Sequence, residues 1–130
     1  MKSLMLESID LVKVTTLVEF IEQQSDQYQE RFVFSYTITI ENNSDKTLQL
    51  LSRSWLITDA NGNKVSVEGD GVVGQQPILQ SGQRYRYSSG SVLKTPIGTM
   101  QGFYIFKDLQ GKNYKVDIPV FSLAVPNILN

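Results

Sequence analysis

Apolar and polar residues alternate with a period of two along most of the chain, and the cleanest stretch is Arg31 to Glu41. There Phe32, Phe34, Tyr36, Ile38 and Ile40 share one parity while Ser35, Thr37, Thr39 and Glu41 take the other. Successive side chains of a strand point to opposite faces, so this segment predicts a half-buried strand; a helix would scatter the aromatics around its girth. Val12 to Phe20 reads the same way through Val12, Val14, Val18 and Phe20, although Leu17, Phe20 and Ile21 also fit a helical face. Between the two, a polar stretch holds Ser25-Asp26, whose side chains favour a reversal of the chain.

Beyond the turn Asn42-Asn43-Ser44-Asp45, Leu48 and Leu50 share one parity and Trp55 and Ile57 the other. A switch near Leu50-Leu51 predicts a β-bulge, which re-aims Arg53 and Trp55. Asn61-Gly62 supplies the positive-φ positions of a tight hairpin, so Ser52 to Thr58 should pair with Lys64 to Glu68. Residues 69–82 lack alternation and read as one long loop closed by Ser81-Gly82. Strands follow at Arg84 to Ser88, Gly98 to Lys107 and Tyr114 to Leu123, the last interrupted by Pro119, which demands a bend or a sheet edge. Ser88-Ser89-Gly90-Ser91 and residues 94–98 read as a second small-residue loop, able to offer hydroxyls and a cation to an anion but equally explained as turn chemistry.

Seven strand candidates with close turn spacing and no convincing helix predict an all-β sandwich of two sheets, with a closed barrel as the alternative. At 130 residues, without repeat, low-complexity tract or linker, the chain is expected to form one domain, residues 1–130.

Composition narrows the chemistry. Histidine and cysteine are both absent, which excludes a Ser-His-Asp triad, thiol catalysis, disulfides and thiolate metal sites. Acidic residues number 13 against 12 basic ones, so no overall field draws in nucleic acid or an anionic membrane. The N-terminus meets Glu7 before an apolar run of signal-peptide length, and no run of about 18 apolar residues occurs, so a cytoplasmic protein without membrane insertion is expected. The acids Asp59, Glu68 and Asp70 lack calcium-loop spacing, and neither a built-in metal site nor a cofactor is expected.

One motif remains. Gly69, Gly71 and Gly74 spell Gly-x-Gly-x-x-Gly, a dinucleotide-binding pattern when a strand precedes it and a helix follows. Here Gln75-Gln76-Pro77 follows instead, which excludes the Rossmann use. What survives is an anion-cradling nest of N–H groups around Gly69 to Gln75, with Arg53 supplying charge, set against plain loop geometry. Trp55 reads as core, with a surface stacking pair beside Arg53 as the alternative.

Several blocks together resemble the ApaG family. They are Phe34 to Asn42, Leu50 to Asp59, Gly69 to Pro77, Tyr87 to Gly90, Leu93 to Gly102 and Ile118 to Leu123, in family order between Ile9 and Pro126. The resemblance implies an immunoglobulin-like, fibronectin type III-like β-sandwich of about seven to eight strands, an association with cobalt and magnesium resistance or efflux, and nucleotide or pyrophosphate binding at the glycine motif. Many relatives carry His where this chain has Ser54. The leading expectation is a non-catalytic module that offers a sheet edge or the 69–82 loop to a protein partner, as a monomer or weak homodimer. Phosphate or pyrophosphate binding at Gly69, Gly71, Gly74, Gln75 and Arg53 is the alternative, and magnesium-dependent phosphoester hydrolysis by Asp59, Glu68 and Asp70 a third reading.

Overall fold

Aromatic and β-branched residues crowd the long strands, and in the computed structural model these pair into two sheets packed face to face. The structure describes residues 7–127; the stretch before Glu7, expected to carry no leader, lies outside them. The strands are β1 (Glu7–Ser8), β2 (Val12–Phe20), β3 (Phe32–Asn42), β4 (Leu48–Asp59), β5 (Lys64–Asp70), β6 (Ile78–Leu79), β7 (Arg84–Leu93), β8 (Ile97–Lys107) and β9 (Asn113–Ala124). One sheet runs β2-β3-β7 and the other β1-β9-β8-β4-β5, with β6 beside β4. This is the two-sheet sandwich expected from the alternation, and the fibronectin type III-like form that the family resemblance implies.

The inner row of β3 is the clearest consequence of the pattern: Phe34, Ile38 and Ile40 are fully buried, and Tyr36 nearly so. Trp55 of β4 sits edge-on to Tyr36 at 5.5 Å between ring centroids and to Phe121 of β9 at 5.8 Å, so three strands from both sheets meet in one aromatic cluster. The core reading of Trp55 therefore holds, at 3% exposure. Asn42, also fully buried, is satisfied: its amide donates to the Lys46 and Leu79 carbonyls, and its oxygen accepts from Ser44.

The bulge lies where the parity switch put it, since the β4–β8 register shifts between Leu50 and Ser52. A second shift, between Met100 and Gly102, falls opposite Pro119, away from Tyr114 and Lys115 where β1 pairs with β9. Proline is thereby confined to an irregular, otherwise unpaired stretch of strand.

Three expectations need correction. Ser88 to Ser91 is not a loop but the middle of β7, because small residues let it lie flat against β3, where Gly90 faces Ser35 and the Ser88 hydroxyl bonds to that of Thr37 at 2.7 Å. Residues 69–82 are not one loop either, since β5 carries on to Asp70 and Ile78–Leu79 pairs with β4. Finally, the Asp59 to Asn63 hairpin has positive φ at Gly62 alone, so it is a type I turn with one left-handed residue, not a two-residue turn with two.

Candidate functional site

The bulge on β4 organises the glycine-rich segment. Leu51, the extra residue, turns its carbonyl outward to accept the Gly71 N–H and the Gln76 side-chain amide, both at 2.8 Å. The Leu50 N–H donates to the Pro77 carbonyl at 3.0 Å, and the Gln49 amide to the Gln76 carbonyl at 3.1 Å. Val72 anchors the segment from within, fully buried in the core. Reciprocal bonds between Val72 and Gln75, 2.8 and 2.9 Å, close a tight turn whose tip is Val73-Gly74.

Both tip residues have positive φ, 48° at Val73 and 77° at Gly74. A left-handed conformation is easy for glycine and unfavourable for a β-branched residue, so Val73 is held there against its preference. Its side chain is 60% exposed, so core packing does not account for it.

Arg53 braces the same turn from the side. Its Nη1 donates to the carbonyls of Asp70 and Gly71, each at 3.0 Å. Gly69 is its cross-strand neighbour, and a Cβ there would come within 2.8 Å of Nη1, so the missing side chain is what lets the guanidinium lie across the strand. A Cβ on Gly71 would overlap the Gln75 carbonyl oxygen. Close approach explains two of the three glycines without any ligand.

The sequence-selected residues thus separate into two groups. Arg53 and Gly69 line a concavity of about 350 Å³ with Ser52, Ser54, Glu68, Asp70 and Phe103. Gly71, Gly74 and Gln75 belong to the braced turn, where the N–H groups of Gly71, Val72 and Gln75 already serve backbone carbonyls. Two carboxylates beside one guanidinium make the concavity a poor host for phosphate by charge. Asp59 is separated from Glu68 by five residues of strand, about 16 Å, so the three acids do not gather around one ion. Its carboxylate instead accepts from the N–H groups of Asn61 and Asn63. Leu51, Val72, Val73 and Gln76 are the residues that sequence reasoning passed over; only the parity switch at Leu51 marked any of them.

Among the described residues, no group of three or more His, Cys, Asp or Glu could hold a metal ion, and no helix is long and apolar enough to cross a membrane. The family model for the ApaG domain matches residues 22–108, a span containing the bulge, Arg53 and the whole turn. Protein ApaG of Vibrio vulnificus (strain YJ016) is 56% identical over 119 residues, covering 92% of this chain and 94% of that one. The chain belongs to the ApaG family. Protein ApaG of Proteus mirabilis (strain HI4320) is 53% identical over 111 residues, covering 85% and 89% of the two chains. The crystal structure of a Bordetella pertussis protein described as ApaA superposes with a TM-score of 0.87 at 40% identity, covering 94% of this chain and 98% of that one. In this ApaG chain Ser54 lines the concavity next to Arg53.

Proposed function

We propose that this ApaG protein is a non-catalytic module that docks on a protein partner through the braced Val72–Gln75 turn. The observation that carries the reading is Val73: an exposed valine held at φ 48° at the tip of a turn tied to the sheet by Arg53, Leu51 and Gln76. Strain in an exposed residue persists when the surroundings over-determine it, and a rigid apolar tip is suited to entering a partner's pocket at low entropic cost. The absence of His and Cys from the chain supports a non-catalytic role. An influence on cobalt or magnesium tolerance would then run through the partner, because among the described residues the acidic side chains do not assemble a site of their own.

Val73→Asn tests this directly. Asparagine tolerates the left-handed region, so the variant should unfold about 1 kcal/mol later, a rise of about 4 °C in Tm, while losing the apolar tip. Affinity capture from extract with both proteins should recover a partner on the native chain and lose it on the variant. A partner retained equally by both, or no partner on either, sinks the reading.

A further inference from the structure

The strand β5 ends its sheet: β4 pairs with one side, and among the described residues nothing pairs with the other. The Asp59 N–H donates to the Asn63 carbonyl and the Gly71 N–H to that of Leu51, with no slip of register between. Hydrogen-bonded pairs alternate along an antiparallel ladder. Val65, Val67 and Gly69 therefore aim their backbone groups at β4, and Lys64, Ser66 and Glu68 aim theirs at the open edge. Native sheets blunt such edges with proline, bulges, a covering segment or charged side chains, and of these β5 carries only the charges. Strand β9 has Pro119 and a register shift; β5 has neither, and its Val65 and Val67 remain 57% and 37% exposed.

The charges on this edge are also unanswered. The ion pairs among the described residues are Arg84 with Glu41, Lys112 with Glu7 and Lys115 with Asp117, none of which involves Lys64 or Glu68. Lys64 and Glu68 cannot satisfy each other, being four residues apart on one strand, about 13 Å.

We infer that β5 is a self-association edge, on which a second copy of this chain pairs antiparallel about a two-fold axis at Ser66. The sequence Lys64-Val65-Ser66-Val67-Glu68 is palindromic in its apolar residues and antisymmetric in its charges. In that register Ser66 faces its own copy, each Val65 faces a Val67 on the inner face, and each Lys64 faces a Glu68 on the outer face. All the outward N–H and C=O groups of the three residues find partners, and two cross-strand ion pairs form. An edge of seven residues is small for an interface, so the association is weak and micromolar. The inference is independent of the Val73 reading, because it concerns a different element.

Sedimentation velocity across a micromolar to millimolar series tests it. The native chain should pass from one protomer mass toward two. Lys64→Glu and Glu68→Lys should each weaken dimerisation at least tenfold, since each places like charges opposite one another twice. An equimolar mixture of the two variants should dimerise at the native concentration, because every altered position then meets its opposite. Ser66→Pro, which removes an outward N–H and leaves the β4 ladder intact, should stay monomeric, while Val73→Asn should dimerise normally. A native chain that remains monomeric at millimolar concentration overturns the inference. So do single reversals that dimerise as the native chain does, or a mixture that fails to recover; pairing about Val67 instead would set Lys64 against Asp70 and give that last result.

Discussion

The hydroxyls of Tyr87 and Tyr104 meet at 2.5 Å between the sheets, with Tyr104 fully buried and Tyr87 nearly so. Burial is the main cause holding both phenols far above their ordinary pKa; Arg53 nearby pulls weakly the other way. Among the described residues each hydroxyl has the other as its hydrogen-bond partner, so removing one orphans its mate. Tyr87→Phe should therefore cost about 1–3 kcal/mol of unfolding free energy in urea, and the Tyr87→Phe/Tyr104→Phe double variant less than the sum of the two singles. Additive losses would show that the hydroxyls do not depend on each other. Alternation alone places both tyrosines on inner faces, so their burial is legible in the sequence. Their meeting is not, because it depends on how two sheets are laid on one another. Val73 fails for the opposite reason: a β-branched residue argues for a strand, and its left-handed conformation is imposed by Arg53, Leu51 and the Val72–Gln75 bonds, not by its own preference.

Two hairpins, β4–β5 and β8–β9, use one device. In each an aspartate accepts from N–H groups two and four residues on: Asp59 from Asn61 and Asn63, Asp108 from Gln110 and Lys112. Three residues beyond each aspartate stands a left-handed glycine, Gly62 at φ 83° and Gly111 at φ 84°. Nothing contacts either glycine where a Cβ would stand, so backbone conformation alone selects it. Gly62→Ala and Gly111→Ala should each destabilise by about 1–2 kcal/mol in thermal or urea unfolding without altering the strand register. Equal stability to the native chain would mean that the turns readjust. The Asn61-Gly62 turn made the first hairpin visible in the sequence, because its bonds are local. The edge position of β5 was not visible, since strand order is decided by pairing between distant segments. Its antisymmetric charge pattern was there to be seen, but means nothing until the strand is known to be unpaired. The serines of β7 misled for a related reason: small residues mark turns when isolated, and flat pairing when a neighbouring strand fills the space above them.

Over the whole molecule, the titrating groups that couple to folding lie at the two ends of the pH scale. At the acid end, burial would raise Asp59 and Asp108, but their turn hydrogen bonds outweigh it and hold both below the usual carboxylate range. A depressed folded value means that their contribution is complete above about pH 4 and is lost as pH falls through the folded pKa. At the alkaline end, burial raises Tyr87, Tyr104 and Tyr114 above the ordinary phenol, and the bond to Glu7 raises Lys112. Their contribution is complete below about pH 10 and declines above it, where the unfolded chain releases protons that the native protein retains. No side chain of ordinary pKa bridges the interval, because the chain has no histidine and no cysteine. The urea midpoint should therefore stay level from about pH 5 to about pH 9 and fall outside that window on both sides. The dimer constant should weaken with added salt, which screens exposed pairs. Replacing both Tyr87 and Tyr104 by phenylalanine should shrink the alkaline decline to the part that Tyr114 and Lys112 contribute, and leave the acid one untouched. A stability curve that instead titrates near neutral pH would place a strongly shifted carboxylate or lysine in the fold, and would contradict the assignment of pH dependence to two aspartate turns, the buried tyrosines and Lys112.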